Sequence, residues 1–465
     1  MKDKKNLTWT LIGLFFLALV LRLTFLGREN LWLDEATTLV IASKSVSEIY
    51  HNRWDPHPPL YYLFMHYWLY LGQRDIIVRL PSVLLGALAV PLLFSLGRLL
   101  FTESAAWLAA LTLAVSPLPI WYAQETRMYT LVGLCALLSA YFCVLFIRGV
   151  GRVNWMGYIL VTAIGLYSHY TMGLLVLALN TFVIAYWLAS PKSCRPFSLG
   201  VWLLMQLAVL LLYTPWLPVL PRHLQLIRNT TSYPLWFLTA PSILFGFVIG
   251  GVIIFVGLVI WMRDPKLRFL NSKSRQSLYA ITIAFFLLLY FGLMFLALIN
   301  RMTTLTRQIY ITIPFLYLGL AALFVHLPRW HYWAASLLAV SIFGSVVSGV
   351  VIQKPPWQEI VLWISTQAAP GDVIVFSPPW LQTPFRRYIQ KEMPLVGVQL
   401  RQLESQMTFL EEKYERAWVI LSKRDIRWFD PEQAVRSWFY AHYQVESQKE
   451  FGVMEIAHFT FGGDN

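Results

Sequence analysis

The chain has 465 residues, of which 57% are hydrophobic and only 13% are charged, and its mean hydropathy is +0.57. Soluble domains are about a quarter charged, so this composition and the repeated long apolar runs exclude an ordinary soluble protein and indicate a polytopic membrane protein. The formal net charge is +13, and the positive excess lies in residues 1–352, which contain 25 basic and 10 acidic residues. No basic stripe with interleaved aromatic residues accompanies this excess, which argues against nucleic acid as a partner.

About eleven apolar runs approach the roughly 20 residues that a membrane-spanning helix needs. They are residues 8–26, 80–100, 104–118, 128–147, 155–169, 171–189, 198–216, 241–262, 278–298, 309–327 and 332–352. The first run follows Met-Lys-Asp-Lys-Lys and is longer than the apolar core of a signal peptide. We therefore interpret it as a retained first helix.

Lys and Arg residues of the predicted membrane part lie mainly in every second loop. Starting from Lys2, Lys4 and Lys5, the same side would carry Arg98, Arg148, Arg152, Lys192, Arg195, Arg263, Lys266, Arg268, Lys273, Arg275 and Arg329. Because short basic loops stay in the cytoplasm, this pattern predicts a multi-pass protein of the plasma (inner) membrane with a cytoplasmic N-terminus. An odd number of spans then places residues 27–79 and the C-terminal domain on the extracytoplasmic side.

The first predicted outer loop, residues 27–79, is too long and too polar for a simple hairpin. Asp34-Glu35 begins it, and the segment Asp55-Pro56-His57-Pro58-Pro59 follows later. Residues 37–50 are predicted to form one helix and residues 60–71 an interfacial segment, because the prolines between them prevent a continuous helix. Paired carboxylates at a membrane edge mark either a solvated loop or a polar site.

Residues 353–465 differ in character from the membrane part and predict a small α/β domain. Helices are expected over 357–367 and 381–390 and after Asp430-Pro431-Glu432, and strands over 373–376, 418–421 and 455–461. Strands that alternate with helices favour a mainly parallel sheet. The predicted organisation is therefore a transmembrane domain, residues 1–352, followed by an extracytoplasmic domain, residues 353–465.

Further polar residues recur at the ends of predicted spans on the outer side. They are Glu125, Arg127 and Tyr129 in Gln124-Glu125-x-Arg127-x-Tyr129, His169 at a short turn, and Arg301, Arg307 and Tyr310 at the entry to the tenth span. Each alone could be an interfacial ion pair, a capped loop residue or a snorkelling side chain. Together they place carboxylates, histidines and arginines on one membrane face.

This combination suits transfer of a sugar from a lipid-linked phosphate. Arginines can bind the phosphate through charge-assisted hydrogen bonds, and a carboxylate can take a proton from an acceptor. A lipid or glycolipid flippase with an outer receptor domain is the alternative, but it predicts charged residues deep within several spans, which the sequence lacks. A structural scaffold leaves the clustered acids unexplained.

Four motifs in register resemble the GT-C membrane glycosyltransferases, in the branch of the protein O-mannosyltransferases and aminoarabinose transferases. They are Asp34-Glu35, Asp55-Pro56-His57-Pro58-Pro59-Leu60, Arg79-x-Pro81-Ser82 and Tyr122-x-Gln124-Glu125-x-Arg127-x-Tyr129. The resemblance extends over about residues 8–330 and implies a GT-C fold. It also implies inverting transfer from a polyprenyl-phosphate sugar, a hexose or a pentose, on the outer face of the membrane.

The resemblance implies Asp34 as the catalytic base, and we expect Glu35 to orient it or the acceptor. Arg127 and Arg307 are expected to bind phosphate, and His57 and Glu125 to shape the sugar pocket. Asp55, Arg79, Tyr129, His169, Arg301 and Tyr310 complete the expected substrate-binding set. No cofactor is required, although Asp34, His57 and His169 leave a divalent metal cation open. The acceptor is a lipid, a glycan or a protein.

Overall fold

The computed structural model describes residues 2–52, 55–189, 197–230, 310–325, 327–351, 354–423, 425 and 429–461. The chain divides into two compact units, which are described separately. The helical unit comprises Met1–Thr24, Lys44–Gly72 and Ile77–Ser348. The sheet unit comprises Phe25–Ser43, Gln73–Ile76 and Gly349–Asn465, so it includes the Asp34-Glu35 pair.

Helices dominate the described chain up to residue 351. In chain order they are α1 (Lys2–Leu23), α2 (Leu33–Ala42), α3 (Val46–Tyr50), α4 (Leu60–Trp68), α5 (Asp75–Leu100), α6 (Glu103–Val115), α7 (Pro117–Ala123), α8 (Tyr129–Ile147), α9 (Val153–Ser168), α10 (Met172–Ala189), α11 (Leu199–Tyr213), α12 (Leu220–Thr230), α13 (Ile313–Phe324) and α14 (Trp330–Val351). The single helix expected over 37–50 is wrong. The chain instead forms α2 and α3, because Ser45 accepts a hydrogen bond from Glu48 N and caps a new helix.

Five of the described helices are long and apolar enough to cross a membrane, or six if the bent pair α6–α7 is one span. Every predicted span that falls on described residues contains a helix, whereas 241–262 and 278–298 lie outside them. The multi-pass character expected from the sequence is therefore confirmed. The total of about eleven spans stays a prediction.

Small residues allow the helices of the helical unit to approach one another closely. Ala105, Ala106, Ala109 and Ala110 on α6 are all buried, and a Cβ added at Gly97 of α5 would lie 2.9 Å from the Cα of Ala106. Membrane helices pack closely through such residues because the surrounding lipid provides no hydrophobic driving force between them.

Arg22 and Gln124 fix the bent pair α6–α7 against the end of α1. The two helices meet at 55° where Ser116 precedes Pro117, which cannot continue the hydrogen-bonding of α6. The buried Arg22 guanidinium donates to the carbonyls of Leu113 and Ala114 at 3.2 and 3.4 Å, satisfying acceptors at the end of α6. The Gln124 amide in turn donates to Arg22 O at 3.0 Å, so α1 is tied to both sides of α7.

The sheet unit contains a five-stranded sheet. Its strands are β1 (Asp372–Ser377), β2 (Leu395–Gly397), β3 (Arg416–Ser422), β4 (Gln444–Phe451) and β5 (Met454–Thr460), in the spatial order β2-β1-β3-β5-β4. β1 pairs in parallel with β2 and β3, but β5 runs antiparallel to both β3 and β4. The expectation of a mainly parallel sheet is wrong, because Gly452, at φ +60°, turns β4 directly back into β5.

Helices cover both faces of this sheet. They are α15 (Trp357–Gln367), α16 (Gln382–Tyr388), α17 (Leu403–Lys413) and α18 (Ala434–His442). Ile374 and Phe376 of β1 belong to one buried cluster, and Val373 and Val375 to another, because successive strand residues point to opposite faces. The last helix begins after the expected position, because the Asp430 carboxylate accepts from the main-chain N–H groups of residues 434 and 435.

Candidate functional site

A buried polar cluster in the helical unit is centred on Asp55. Its Oδ2 accepts a hydrogen bond from Tyr62 at 2.7 Å and lies 3.5 Å from Nη1 of Arg127, and its Oδ1 contacts His57 Nδ1. Tyr62 lies on α4, whereas Arg127 lies in the turn between α7 and α8. Two elements far apart in sequence therefore meet at one carboxylate.

Asp55 is held ionised by this environment. Burial alone would raise the pKa of its carboxyl, but His57, Arg127 and the Tyr62 hydroxyl outweigh it and place that pKa well below the ordinary value. Burial and the neighbouring Asp55 charge raise the pKa of Tyr62, so its hydroxyl keeps the proton that it donates. The cluster thus keeps one fixed negative charge beside one arginine over the physiological pH range.

A row of aromatic rings leads away from Asp55. His57 and His169 have ring centroids 5.2 Å apart, and His169 lies 6.0 Å from Tyr129. Tyr122 continues the row at 5.1 Å from Tyr129 and at 5.1 Å from Tyr310. Such a surface has apolar ring faces and polar ring edges, which suits a sugar as well as it suits packing.

His169 is a neutral imidazole in this row. The main-chain N–H of Thr171 donates to its Nδ1 at 3.2 Å, so Nδ1 acts as an acceptor and carries no proton. His169 ends α9, where the chain turns into α10. The short turn between α9 and α10 therefore brings this ring beside His57.

The main chain of Arg127 is anchored to α5. Ser82 Oγ donates to Arg127 O at 3.3 Å and lies 3.3 Å from the hydroxyl of Tyr61, so the motif around Arg79 contacts the motif around Arg127. Arg79 and Glu125 are themselves almost fully buried. Burying a charged side chain costs free energy unless other groups pair with it, so buried charges such as Arg79 and Glu125 are typical of functional sites.

The site residues that the sequence predicts for the outer face differ in where the structure places them. The structure brings together Asp55, His57, Arg127, Tyr129, His169 and Tyr310 through the contacts above. Arg301 and Arg307 lie outside the described residues. Tyr62 has no role among the residues predicted from the sequence, although its position seven residues after Asp55 and across the prolines is a signal.

Asp34 and Glu35 occupy the first turn of α2 in the sheet unit and differ sharply in environment. Glu35 is fully buried, pairs with Lys354 Nζ at 2.8 Å and accepts from Trp32 N at 3.4 Å, which completes the helix cap. Asp34 is only half-buried, and its main-chain O accepts from the Thr38 hydroxyl at 2.9 Å. Of the two carboxylates, Asp34 is the more accessible.

The described residues offer no group of three or more His, Cys, Asp and Glu side chains that could hold a metal ion. Within that part of the chain, Asp34, His57 and His169, which the sequence leaves open as metal ligands, do not form such a group. His57 and His169 lie together in the helical unit, whereas Asp34 belongs to the sheet unit.

Comparisons with known proteins relate the chain to membrane glycosyltransferases. A family model described as dolichyl-phosphate-mannose-protein mannosyltransferase matches residues 56–218. The structure of ArnT from Cupriavidus metallidurans bound to undecaprenyl phosphate is similar, with 14% identity, a TM-score of 0.54 and coverage of 97% of this chain and 98% of that chain. No curated protein sequence matches the chain.

Two structures of the Archaeoglobus fulgidus oligosaccharyltransferase are also similar. The form tethered to an acceptor peptide containing the NVT sequon has 11% identity, a TM-score of 0.52 and coverage of 98% of this chain and 74% of that chain. The complex of AglB with an inhibitory peptide and a dolichol-phosphate has 12% identity, a TM-score of 0.50 and coverage of 90% and 70%.

Identities this low establish a shared fold and nothing finer. The resemblance to GT-C membrane glycosyltransferases of the ArnT and protein mannosyltransferase branch, which the four motifs indicated, is confirmed. The expected GT-C fold is confirmed with it. None of these similarities supports the alternative of a lipid flippase.

Proposed function

We propose that the protein is an inverting glycosyltransferase that moves a sugar from a polyprenyl-phosphate donor to an acceptor on the extracytoplasmic face of the membrane. The observation that carries this proposal is the buried contact of Arg127 with Asp55 in a helical unit of the GT-C fold. A guanidinium has five N–H donors, so Arg127 can keep its contact with Asp55 and also bind a phosphate.

The chemistry assigns one role to each group. The acceptor oxygen attacks the anomeric carbon of the sugar on the face opposite the phosphate, and the bond from that carbon to the phosphate oxygen breaks. The electron pair of that bond leaves on the polyprenyl phosphate, whose charge Arg127 and Arg307 stabilise. Asp34 takes the proton of the acceptor. Because attack and departure are on opposite faces, the anomeric configuration inverts.

The remaining residues bind the donor and exclude water. Asp55 and His57 orient Arg127 through the contacts described above. The rings of His169, Tyr129 and Tyr310 provide the surface against which the sugar packs. Glu125, Arg79 and Arg301 complete the polar surroundings, and Glu35 holds the helix that carries Asp34. We further propose that residues 1–352 form the transmembrane domain and residues 353–465 the extracytoplasmic domain, which forms one compact unit with Phe25–Ser43 and Gln73–Ile76.

The ligands of the similar structures support a lipid-linked donor. ArnT was solved with undecaprenyl phosphate, and AglB with a dolichol-phosphate and a peptide. For this chain we infer a hexose on polyprenyl phosphate as the donor and membrane lipids as its surroundings. The acceptor is a lipid, a glycan or a protein.

Transfer in liposomes tests the activity. The purified protein, mixed with a synthetic polyprenyl-phosphate hexose and an extract of envelope lipids and proteins, should release free polyprenyl phosphate and form a product with inverted anomeric configuration by NMR. Boiled protein provides the baseline. A flippase would move the donor across the bilayer without breaking the sugar–phosphate bond, and that result would reject the proposed function.

The topology of the C-terminus is a separate prediction. The basic loops place Asn465 on the extracytoplasmic side, so a reporter that is active only in the cytoplasm should be silent when fused after that residue. The same reporter fused before Met1 should be active and serves as the control. An active C-terminal fusion would place the C-terminus in the cytoplasm and would contradict the proposed extracytoplasmic position of Asp34 and Glu35.

A further inference from the structure

The segment that carries Asp34 is integrated with the C-terminal part of the sheet unit. This unit consists of Phe25–Ser43 and Gln73–Ile76 from the first loop together with Gly349–Asn465. The two loop pieces are short, and together with the third they form one compact body. The conformation of the Asp34 segment therefore depends on residues more than three hundred positions later in the chain, as the contact between Leu31 and Tyr388, 357 residues apart, illustrates.

One hydroxyl connects both loop pieces. Tyr388 on α16 accepts a hydrogen bond from the main-chain N–H of Leu31 at 2.7 Å and donates to Asp75 Oδ2 at 2.6 Å. Arg387 supports the same carboxylate through Nε at 3.1 Å and Nη2 at 2.8 Å. Burial, and then the hydrogen bond to Asp75, raises the pKa of Tyr388, so the hydroxyl remains a donor.

Further contacts hold the chain on both sides of Asp34. Asn30 Oδ1 accepts from Gln358 N at 2.9 Å, at the first turn of α15. Lys354 pairs with Glu35 and lies 5.9 Å over the ring of Trp32. Only 7% of the Lys354 side chain is exposed, so its ion pair with Glu35 is shielded from solvent.

We propose that the C-terminal part of the sheet unit positions Asp34 for proton transfer, with Tyr388 and Lys354 as the positioning residues. This inference rests on the proposed function, in which Asp34 is the base. The contacts fall on residues 30, 31, 32 and 35, which flank Asp34, so they fix the start of α2 and the direction of its first turn. Neither Tyr388 nor Lys354 is required to touch the donor.

Positioning of this kind has a defined kinetic signature. A catalytic group displaced by about 1 Å can lose up to roughly a hundredfold in rate, although substrate binding is unaffected. Loss of a positioning contact should therefore lower kcat and leave the KM for the polyprenyl-phosphate sugar unchanged. A change that merely loosened the fold would lower the amount of active protein without this selectivity.

The test compares two tyrosines of the same unit. Tyr388→Phe removes the hydroxyl that joins Leu31 to Asp75. Tyr440→Phe removes a comparable half-buried hydroxyl on α18, which donates to Glu455 of β5 at 3.0 Å. We expect Tyr388→Phe to lower kcat about tenfold with the donor KM unchanged, and to speed hydrogen exchange at the amides of α2. Tyr440→Phe should leave all three quantities at the wild-type level.

Lys354 provides a second, independent comparison. Lys354→Gln should lower kcat by about the same factor, and Lys354→Arg should restore most of it because the charge opposite Glu35 is kept. Equal kcat values for Tyr388→Phe and Tyr440→Phe, a loss confined to the donor KM, or unchanged exchange in α2 would each overturn the inference. If the wild-type protein shows no transfer at all, the proposed function fails. Hydrogen exchange in α2 then decides alone whether Tyr388 and Lys354 hold the segment that carries Asp34.

Discussion

Asp34→Asn is expected to lower the rate of sugar transfer at least about a hundredfold, because a positioned general base contributes roughly 10²–10⁴ in rate. The amide keeps the shape of the carboxylate and most of its hydrogen bonding but cannot accept the proton of the acceptor. Asp34 is half-buried in the first turn of α2, so the change should leave expression, membrane insertion and donor binding close to normal. The measurement is transfer from a synthetic polyprenyl-phosphate sugar in liposomes.

The adjacent Glu35 gives the comparison for this experiment. Glu35→Gln leaves Lys354 buried without its counter-charge, and breaking a buried pair in this way costs about 3–5 kcal/mol of stability. Its main effect should therefore be a lower unfolding temperature, with a loss of transfer smaller than that of Asp34→Asn. A larger loss in Glu35→Gln, or near-normal turnover in Asp34→Asn, would show that the base is assigned to the wrong carboxylate.

Arg127→Lys is expected to raise the KM for the polyprenyl-phosphate donor by about ten- to a hundredfold, the equivalent of one charge-assisted hydrogen bond of roughly 1.5–3 kcal/mol. Lysine keeps the positive charge but loses the planar fork, so one ammonium must serve both Asp55 and the phosphate. Because the phosphate is bound in the ground state as well as in the transition state, the effect should appear mainly in donor titrations.

Arg98→Lys is the matched control for this change. Arg98 lies on α5 in the same helical unit, is exposed, and has its guanidinium 5.9 Å over the ring of Phe94. The substitution makes the same chemical change at a site outside the Asp55 cluster, so donor use should stay at the wild-type level. An unchanged donor titration in Arg127→Lys and in Arg127→Ala would remove Arg127 from the phosphate site.

The membrane part of the fold could be predicted because its signal is long and repetitive. Every predicted span within the described residues contains a helix, since the need to satisfy the backbone in lipid leaves few alternatives to a helix. The bend between α6 and α7 was less visible, because only Ser116-Pro117 marks it in a continuous apolar run. Residues 37–50 do not form one helix, because Ser45 caps a new helix at Val46. The apolar pattern of this segment does not reveal that cap.

The sheet was predicted in part, and the missed strands share a physical cause. β1 and β3 contain short apolar runs and β5 alternates between apolar and polar residues, and the sequence reveals both patterns directly. β2 has only three residues, and β4 is a polar edge strand, so neither has the apolar pattern of a central strand. Without β4, the hairpin through Gly452 cannot be recognised, and the remaining strands and helices alternate in the way that is typical of a parallel sheet.

The candidate site illustrates a different limit. Asp34 and Glu35 are neighbours of the same chemical type, and nothing local indicates which one is buried. Successive residues on a helix point in different directions, and the partner of Glu35 is Lys354, which is 319 residues away. The contacts of Asp55 with His57 and Tyr62 are local by comparison, because the three residues lie within one short segment.

Arg22 has a consequence for the order in which the chain can assemble during synthesis. Its guanidinium lies in the first apolar segment, and one of its acceptors, Leu113 O, is 91 residues later. At a synthesis rate of about 5–20 residues per second, α1 must wait roughly 5–18 s for α6 to arrive. Until then the charge can reach water only by extending its side chain toward the headgroups. The first helix is therefore synthesised before the α6 carbonyls that accept its Arg22 hydrogen bonds are available.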